Sequence, residues 1–243
     1  MDPLFRVDVV TATPNPQTAC WVGMHQDYSE GYVCHDRDAW PTERQAGEIA
    51  VRRLLAGERG HYGPLEHAQI VFNVGYFPHS VMQQARTHRV GVSFDVQSLR
   101  YTGARVCAAA ELGSDEAMES VFYLRPVGIY SDRQGKRYKY TAEDRAEDLF
   151  LCRSAAERYR DLLAVGYAEE HSRGILPFDV RQHFVVSFSL RALLHFLDLR
   201  AKLDAQQEIR WLCDLLWHHL QAWAPEIAGW YQTNRLHKAR LAP

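Results

Sequence analysis

Neither a G-x-G-x-x-G fingerprint nor a G-x-x-x-x-G-K-[ST] loop occurs in the chain, which excludes the two commonest glycine-rich cradles for phosphate. Any phosphate has to be held by side chains from separate segments. A C-x-x-C pair is missing too. The five cysteines, Cys20, Cys34, Cys107, Cys152 and Cys213, are odd in number and widely spaced, so they read as reduced core residues and not as a disulfide framework. No apolar run approaches the ~20 residues that cross a bilayer. The start, MDPLFRVDVV, lacks a positive n-region, so a cytoplasmic protein without membrane contact is expected. No Pro/Gly/Ser-rich linker, repeat or low-complexity tract divides the chain, which predicts one domain over residues 1–243. Basic excess is absent as well. A formal net charge of -2 argues against a general nucleic-acid binder, so local clusters of arginine matter more than the total.

What is present begins with a 47% hydrophobic content, enough for a sizeable core. Valine-rich Leu4 to Ala12 reads as a strand that ends at the turn Pro14-Asn15-Pro16. Thr42 and Gln45 make a capping box for a helix to about Ala56, stopped by Gly57 and Gly60. Gln69 to Tyr76 is a strand, and Pro78 starts a helix that turns Val81, Met82 and Ala85 inward. Residues 121–141 alternate aromatic and polar around Asp132-Arg133-Gln134-Gly135, a hairpin or long flap. Thr141 opens an amphipathic helix to about Val165. Phe184 to Arg200 reads as a mostly buried helix with one polar stripe, Ser187, Arg191, His195 and Asp198, and Ala205 to Trp223 as the final, packing helix.

The densest chemistry lies in Gln83 to Tyr101, where Arg86, His88, Arg89 and Arg100 stand beside Gln83, Gln84, Ser93 and Ser98. Arginine captures phosphate by planar, bidentate hydrogen bonds, so a phosphorylated ligand is the leading expectation, against a solvated basic helix end. The loop Gly60-His61-Tyr62-Gly63-Pro64-Leu65-Glu66-His67 carries two histidines and a glutamate. Pro64 and the spacing do not suit a zincin helix, so satisfied or stacking histidines are expected there and no metal. From spacing alone, Arg191 and Asp198 make an internal ion network. The basic, tyrosine-rich Lys136-Arg137-Tyr138-Lys139-Tyr140 suits a solvated flap. A non-catalytic nucleotide- or RNA-binding protein built on the two basic clusters is the alternative from another class.

Four stretches in one order resemble the flavin-dependent thymidylate synthases. Arg86-Thr87-His88-Arg89, eight residues, then Ser98-Leu99-Arg100-Tyr101 is similar to the signature in which Arg-His-Arg precedes a serine and Arg-Tyr. Here an extra Thr87 separates Arg86 from His88, the loop is one residue longer, and Val96 stands where the family usually has glutamate. Thr87 or His88 takes the family histidine's place, and Gln97 or Asp95 the carboxylate's. Gly60 to His67 resembles Gly-His-x-Ser-Pro-x-Glu-His, Arg173-x-x-Leu176-Pro177 the helix-to-loop phosphate arginine, and Ser189-x-Arg191-x-x-x-His195 the flavin-binding pattern. Leu199-Arg200 resembles the segment whose arginine meets the uracil ring, while Asp204 stands where some members carry a flavin-contacting histidine.

The resemblance implies an α+β fold with a mainly antiparallel sheet flanked by long helices. It implies conversion of dUMP to dTMP through bound FAD, with methylenetetrahydrofolate and NADPH as co-substrates. The dUMP-binding residues would be Gln83, Gln84, Arg86, Gln97, Ser98, Leu99, Arg100, Arg173 and Arg200. FAD would be held by His61, Gly63, Arg86, His88, Arg89, Ser189, Arg191 and His195. Arg200 would be the catalytic cation, and the sites would be shared between subunits of a homotetramer.

Overall fold

The computed structural model describes residues 1–57, 60–132 and 134–238. Strand β1 (Arg6–Ala12) leads into α1 (Pro16–Gln26) and α2 (Glu43–Ala50), whose last turn widens into a π-turn over Val51–Leu55. Strand β2 (Gln69–Pro78), α3 (His79–Ala85) and β3 (Val92–Val96) follow, then short helices α4 (Leu99–Thr102), α5 (Ala104–Leu112) and α6 (Asp115–Val121). The hairpin β4 (Gly128–Ser131) and β5 (Arg137–Tyr140) precedes α7 (Ala142–Ala164) and α8 (Glu169–Ser172). Strand β6 (Arg181–Ser189) runs into α9 (Leu190–Arg200), and α10 (Gln207–Trp223) and α11 (Pro225–Asn234) complete the order.

The main sheet is antiparallel throughout, in the order β1-β2-β6-β3, with Val186 of β6 opposite Phe72 of β2 and Phe94 of β3. The hairpin forms a separate two-stranded sheet. Alternation puts Ile70, Phe72 and Val74 of β2 beside Phe184, Val186 and Phe188 of β6 in one buried layer. Leu193, Phe196 and Leu197 of α9 and Ile209, Leu212, Leu216 and Leu220 of α10 belong to the same core. Phe188 meets Phe196 edge-on at 5.4 Å, which fixes α9 relative to the strand that feeds it. A second cluster, around Met118, Phe122, Ala156 and Tyr159, joins α5 and α6 to α7.

The expected α+β class and antiparallel sheet are what the structure has. Thr42 caps α2, Thr141 caps α7 and Pro78 precedes α3, as their sequences predict. One element differs. Phe184 to Ser189 is the end of a strand and not the start of a helix, because this segment fills the centre of the sheet with partners on both sides. A short apolar run such as Phe184-Val185-Val186 is one that periodicity does not separate from a buried helix. The helix starts only where the Ser189 hydroxyl accepts the Ala192 N–H at 3.2 Å. Helix α1, with Pro16 in its first turn, stands where only a turn is expected, and α11 follows the helix taken as final. Among the described residues, no helix is long and apolar enough to cross a membrane.

Candidate active site

The signature begins at the end of α3 and runs into β3, so its side chains spread over two surfaces. The first is a groove of about 490 Å³ lined by Arg86, Gln97, Ser98, Leu99, Glu170 and Arg173, among others. Strand β3 delivers the middle residues: the Gln97 N–H donates to the His183 carbonyl at 2.9 Å, continuing the sheet, and the chain then turns. Ser98 caps α4 by accepting the Arg100 N–H at 3.3 Å. Arg173 comes from the tight turn after α8. Gln83 hydrogen-bonds His79 at 2.7 Å, and His79 lines the same groove. Burial, more than any neighbouring charge, lowers the His79 pKa. Arg100 turns aside to Glu170 at 3.5 Å, a half-exposed pair of small energetic weight.

The second surface gathers around Arg200. Its Nε donates to His88 Nε2 at 3.0 Å, and its Nη2 donates to Thr87 Oγ1 at 2.7 Å and to the Gln84 carbonyl at 3.2 Å. Among the described residues Nη1 has no protein acceptor, so one amino group of the guanidinium remains for a ligand. His88 is only 7% exposed, with the Phe196 ring at 4.8 Å and the His195 ring at 5.5 Å. Burial, then the Arg200 charge and His195, push its pKa down to about 4, so the imidazole is neutral and able to accept at pH 7. The Gln84 side chain is held by Gln206, whose amide also donates to the buried Glu208 at 2.8 Å. On an ideal helix Arg200 faces away from His195. The long side chain at the end of α9 folds back so that both meet His88.

Arg191, one turn before His195 on α9, pairs with Glu66 at 2.6 Å. This corrects the internal Arg191–Asp198 network: Asp198 instead accepts from the Tyr231 hydroxyl at 2.8 Å and pairs with Arg235 at 3.1 Å. Burial raises the Asp198 pKa, against the lowering effect of those two partners. The Glu66 contact ties the loop of residues 60–67 to α9. His67 supports the same loop, since a Cβ on Gly23 would come within 2.5 Å of its ring. His61 is half-exposed, bonded to Asp27 at 2.8 Å, in a slot that also has Trp21, His25, Tyr28 and Arg53. Gly63 is exposed with open space where a side chain would stand.

Arg89 is exposed beyond His88, while Ser189 is 1% exposed and occupied as the α9 cap. Gly91, at φ +68°, carries the chain back under that cap; a Cβ there would lie 2.6 Å from Ser189 Oγ, so only glycine fits. Thus Arg86, Gln97, Ser98, Leu99 and Arg173 come together with Gln83 at the rim. Gln84, His88, His195 and Arg200 come together separately, and Arg191 joins them through α9. Gln206 and Asp27 are contacts that no sequence pattern announced; their partners, Gln84 and His61, are distant in the chain.

No cysteine is poised as a nucleophile in these surfaces. Burial pushes the Cys20 thiol up to about 12 and Cys152 up to about 11, and it raises Cys107 and Cys213. Among the described residues, no group of three or more His, Cys, Asp or Glu side chains is placed to hold a metal ion.

A family model described as "Thymidylate synthase complementing protein" matches residues 8–226. The flavin-dependent thymidylate synthase of Halobacterium salinarum is 31% identical over 98% of this chain and 100% of its own length. That of Haloarcula marismortui is also 31% identical, over 98% of this chain and 99% of its own. Among solved structures, a UMP/dUMP methylase, PolB, from Streptomyces cacaoi bound with 5-Br UMP superposes with a TM-score of 0.69 at 19% identity, covering 98% of this chain and 97% of its own. Thymidylate synthase X from Helicobacter pylori with FAD and dUMP gives 0.68 at 17% identity, covering 92% and 99%.

Proposed function

The chain belongs to the flavin-dependent thymidylate synthases, the thymidylate synthase complementing proteins, and on that premise we propose how its own residues carry conversion of dUMP to dTMP. The observation that supports the reading most is the convergence of Arg86, Ser98 and Arg173, from three separate segments, on one groove. Arg86 and Arg173 take the nucleotide phosphate as bidentate donors, and Ser98, Gln97 and Leu99 orient the nucleoside. Arg200 presents its free Nη1 to the uracil ring. Negative charge builds on that ring as it accepts the methylene of methylenetetrahydrofolate, and a cation already fixed in place stabilises it without reorganisation. Gln84 and Gln83 complete the nucleotide contacts.

The residues present suit a bound flavin dinucleotide. His195 Nδ1 is shielded from solvent and has no partner among the described residues, an opening of a kind that buried polar groups rarely leave. With the His88 imidazole 5.5 Å away, Arg191 one turn earlier on α9 and Arg89 next to His88 in the chain, this donor set would suit a diphosphate and a heterocycle edge. FAD supplies the two-electron reduction that takes the transferred carbon to a methyl group, with NADPH as the electron source. His61 and the backbone of Gly63 would hold the flavin from the loop of residues 60–67, Glu66 keeps Arg191 oriented at 2.6 Å, and Ser189 would act through the start of α9 that it caps. With no activated cysteine in either surface, the nucleotide is activated by position and charge alone.

Arg200 is absent from the groove that holds Arg86 and Arg173, so a complete site draws on two copies of the chain, as a homotetramer with shared sites would provide. The purified protein should be yellow, should bleach with NADPH, and should form dTMP from dUMP when methylenetetrahydrofolate is added. A colourless protein whose polynucleotide affinity falls steeply with salt would overturn the reading in favour of a binding module.

A further inference from the structure

We infer that Thr87 and His88 are positioning residues for Arg200, forming an acceptor clamp that fixes the guanidinium plane before the nucleotide arrives. The inference rests on the place given to Arg200 beside the uracil ring. The directions of the hydrogen bonds carry it. The Thr87 hydroxyl spends its proton on the Gln84 carbonyl at 2.8 Å, so its lone pair is the side that faces Arg200 Nη2 at 2.7 Å. Arg200 Nε points its proton at His88 Nε2, so that nitrogen bears none and the imidazole holds its proton on Nδ1. The ring itself cannot swing, because Phe196 and His195 pack against it and it is 7% exposed. Nε and Nη2 are thereby committed on one side, and Nη1 is aimed by exclusion.

Thr87 is the residue by which Arg86-Thr87-His88-Arg89 departs from the family's Arg-His-Arg. Just past the end of α3, it supplies the oxygen that Arg200 meets. A long side chain without such acceptors samples many rotamers, and a cation misplaced by about 1 Å can lose on the order of 10²-fold in rate.

The test compares Thr87→Val, which keeps the shape and removes the hydroxyl, with Thr87→Ser, which keeps the hydroxyl. Thr87→Val should lower kcat about tenfold or more while the KM for dUMP changes by less than about twofold, and Thr87→Ser should restore most of the rate. Exchange of the Arg200 Nε proton with solvent, followed by NMR on the folded protein, should be faster in His88→Leu than in His88→Gln, which retains an acceptor. Equal kcat values for the Val and Ser variants, or exchange that is the same in both His88 variants, would overturn the clamp. Arg200→Ala separates the two levels: near-normal turnover in that variant removes the role of Arg200 itself. Loss of turnover in Arg200→Ala beside an unaffected Thr87→Val leaves that role standing and removes only the clamp.

Discussion

Acidification should destabilise this protein through His88 in a measurable and specific way. The imidazole has its pKa pushed from 6.5 down to about 4 in the folded chain, mainly by burial and then by Arg200. Between those two values the unfolded chain binds a proton that the folded chain refuses. The stabilising contribution is therefore complete above pH 6.5, falls as pH drops, and is lost by pH 4. At about 1.4 kcal/mol per pKa unit the full shift corresponds to roughly 3 kcal/mol, of which about 2 kcal/mol is lost by pH 5. Although the ring is buried, Thr87 beside it is exposed, so solvent screening reduces the expected loss to about 1 kcal/mol. His88→Gln removes the titration and keeps an acceptor for Arg200. Thermal unfolding at pH 7 and pH 5 should show the wild type losing about 2–4 °C more than His88→Gln, the shift expected for that energy in a chain of this size. Histidines remote from His88 contribute alike to both proteins and cancel. Parallel losses in the two would refute the assignment of His88 as a buried, neutral acceptor.

Arg173→Ala and Arg200→Ala should each abolish dTMP formation, yet co-expressed subunits should recover a fraction of wild-type turnover, because some sites then receive both intact arginines. No recovery, with mixed oligomers confirmed by mass spectrometry, would place both residues in one subunit's site. Arg191→Ala should weaken FAD retention at least tenfold, measured by equilibrium dialysis, since it loses a cation of the proposed site and leaves Glu66 unpaired. Ser189→Ala should cost about 1 kcal/mol in chemical denaturation, the usual value of an N-cap, and should affect flavin binding less than Arg191→Ala does. Arg181→Met should cost about 3 kcal/mol or more, because the buried guanidinium pairs with Asp2 and bonds the Glu119 and Tyr76 carbonyls, and its loss strands all three.

Much of the fold is legible in local chemistry. The Thr42 and Thr141 capping residues, the Pro78 step into α3 and the hairpin around Gly135 are each specified by residues within a few positions of one another. Phe184 to Ser189 is where such reasoning fails. Its apolar run meets the needs of a central strand and of a buried helix equally, and only the presence of β2 and β3 on either side selects the strand. Helix α1 was hidden by Pro14 and Pro16, the second of which sits harmlessly in its first turn.

The sequence by itself determined which chemistry is available: arginines in three of four ordered stretches, no glycine-rich phosphate loop, no cysteine in an activating setting, and the motif pattern of a flavin-dependent thymidylate synthase. Only the tertiary structure decided which of those arginines act together. Arg86 and Arg173 meet across a groove, Arg191 is taken by Glu66 and not by Asp198, and Arg200 turns back to Thr87 and His88. The reason is one of range. Caps and turns are settled by neighbours in the chain, whereas the partner of a long charged side chain depends on which distant backbone the folding of the sheet and helices brings within 3 Å or so of its nitrogen atoms.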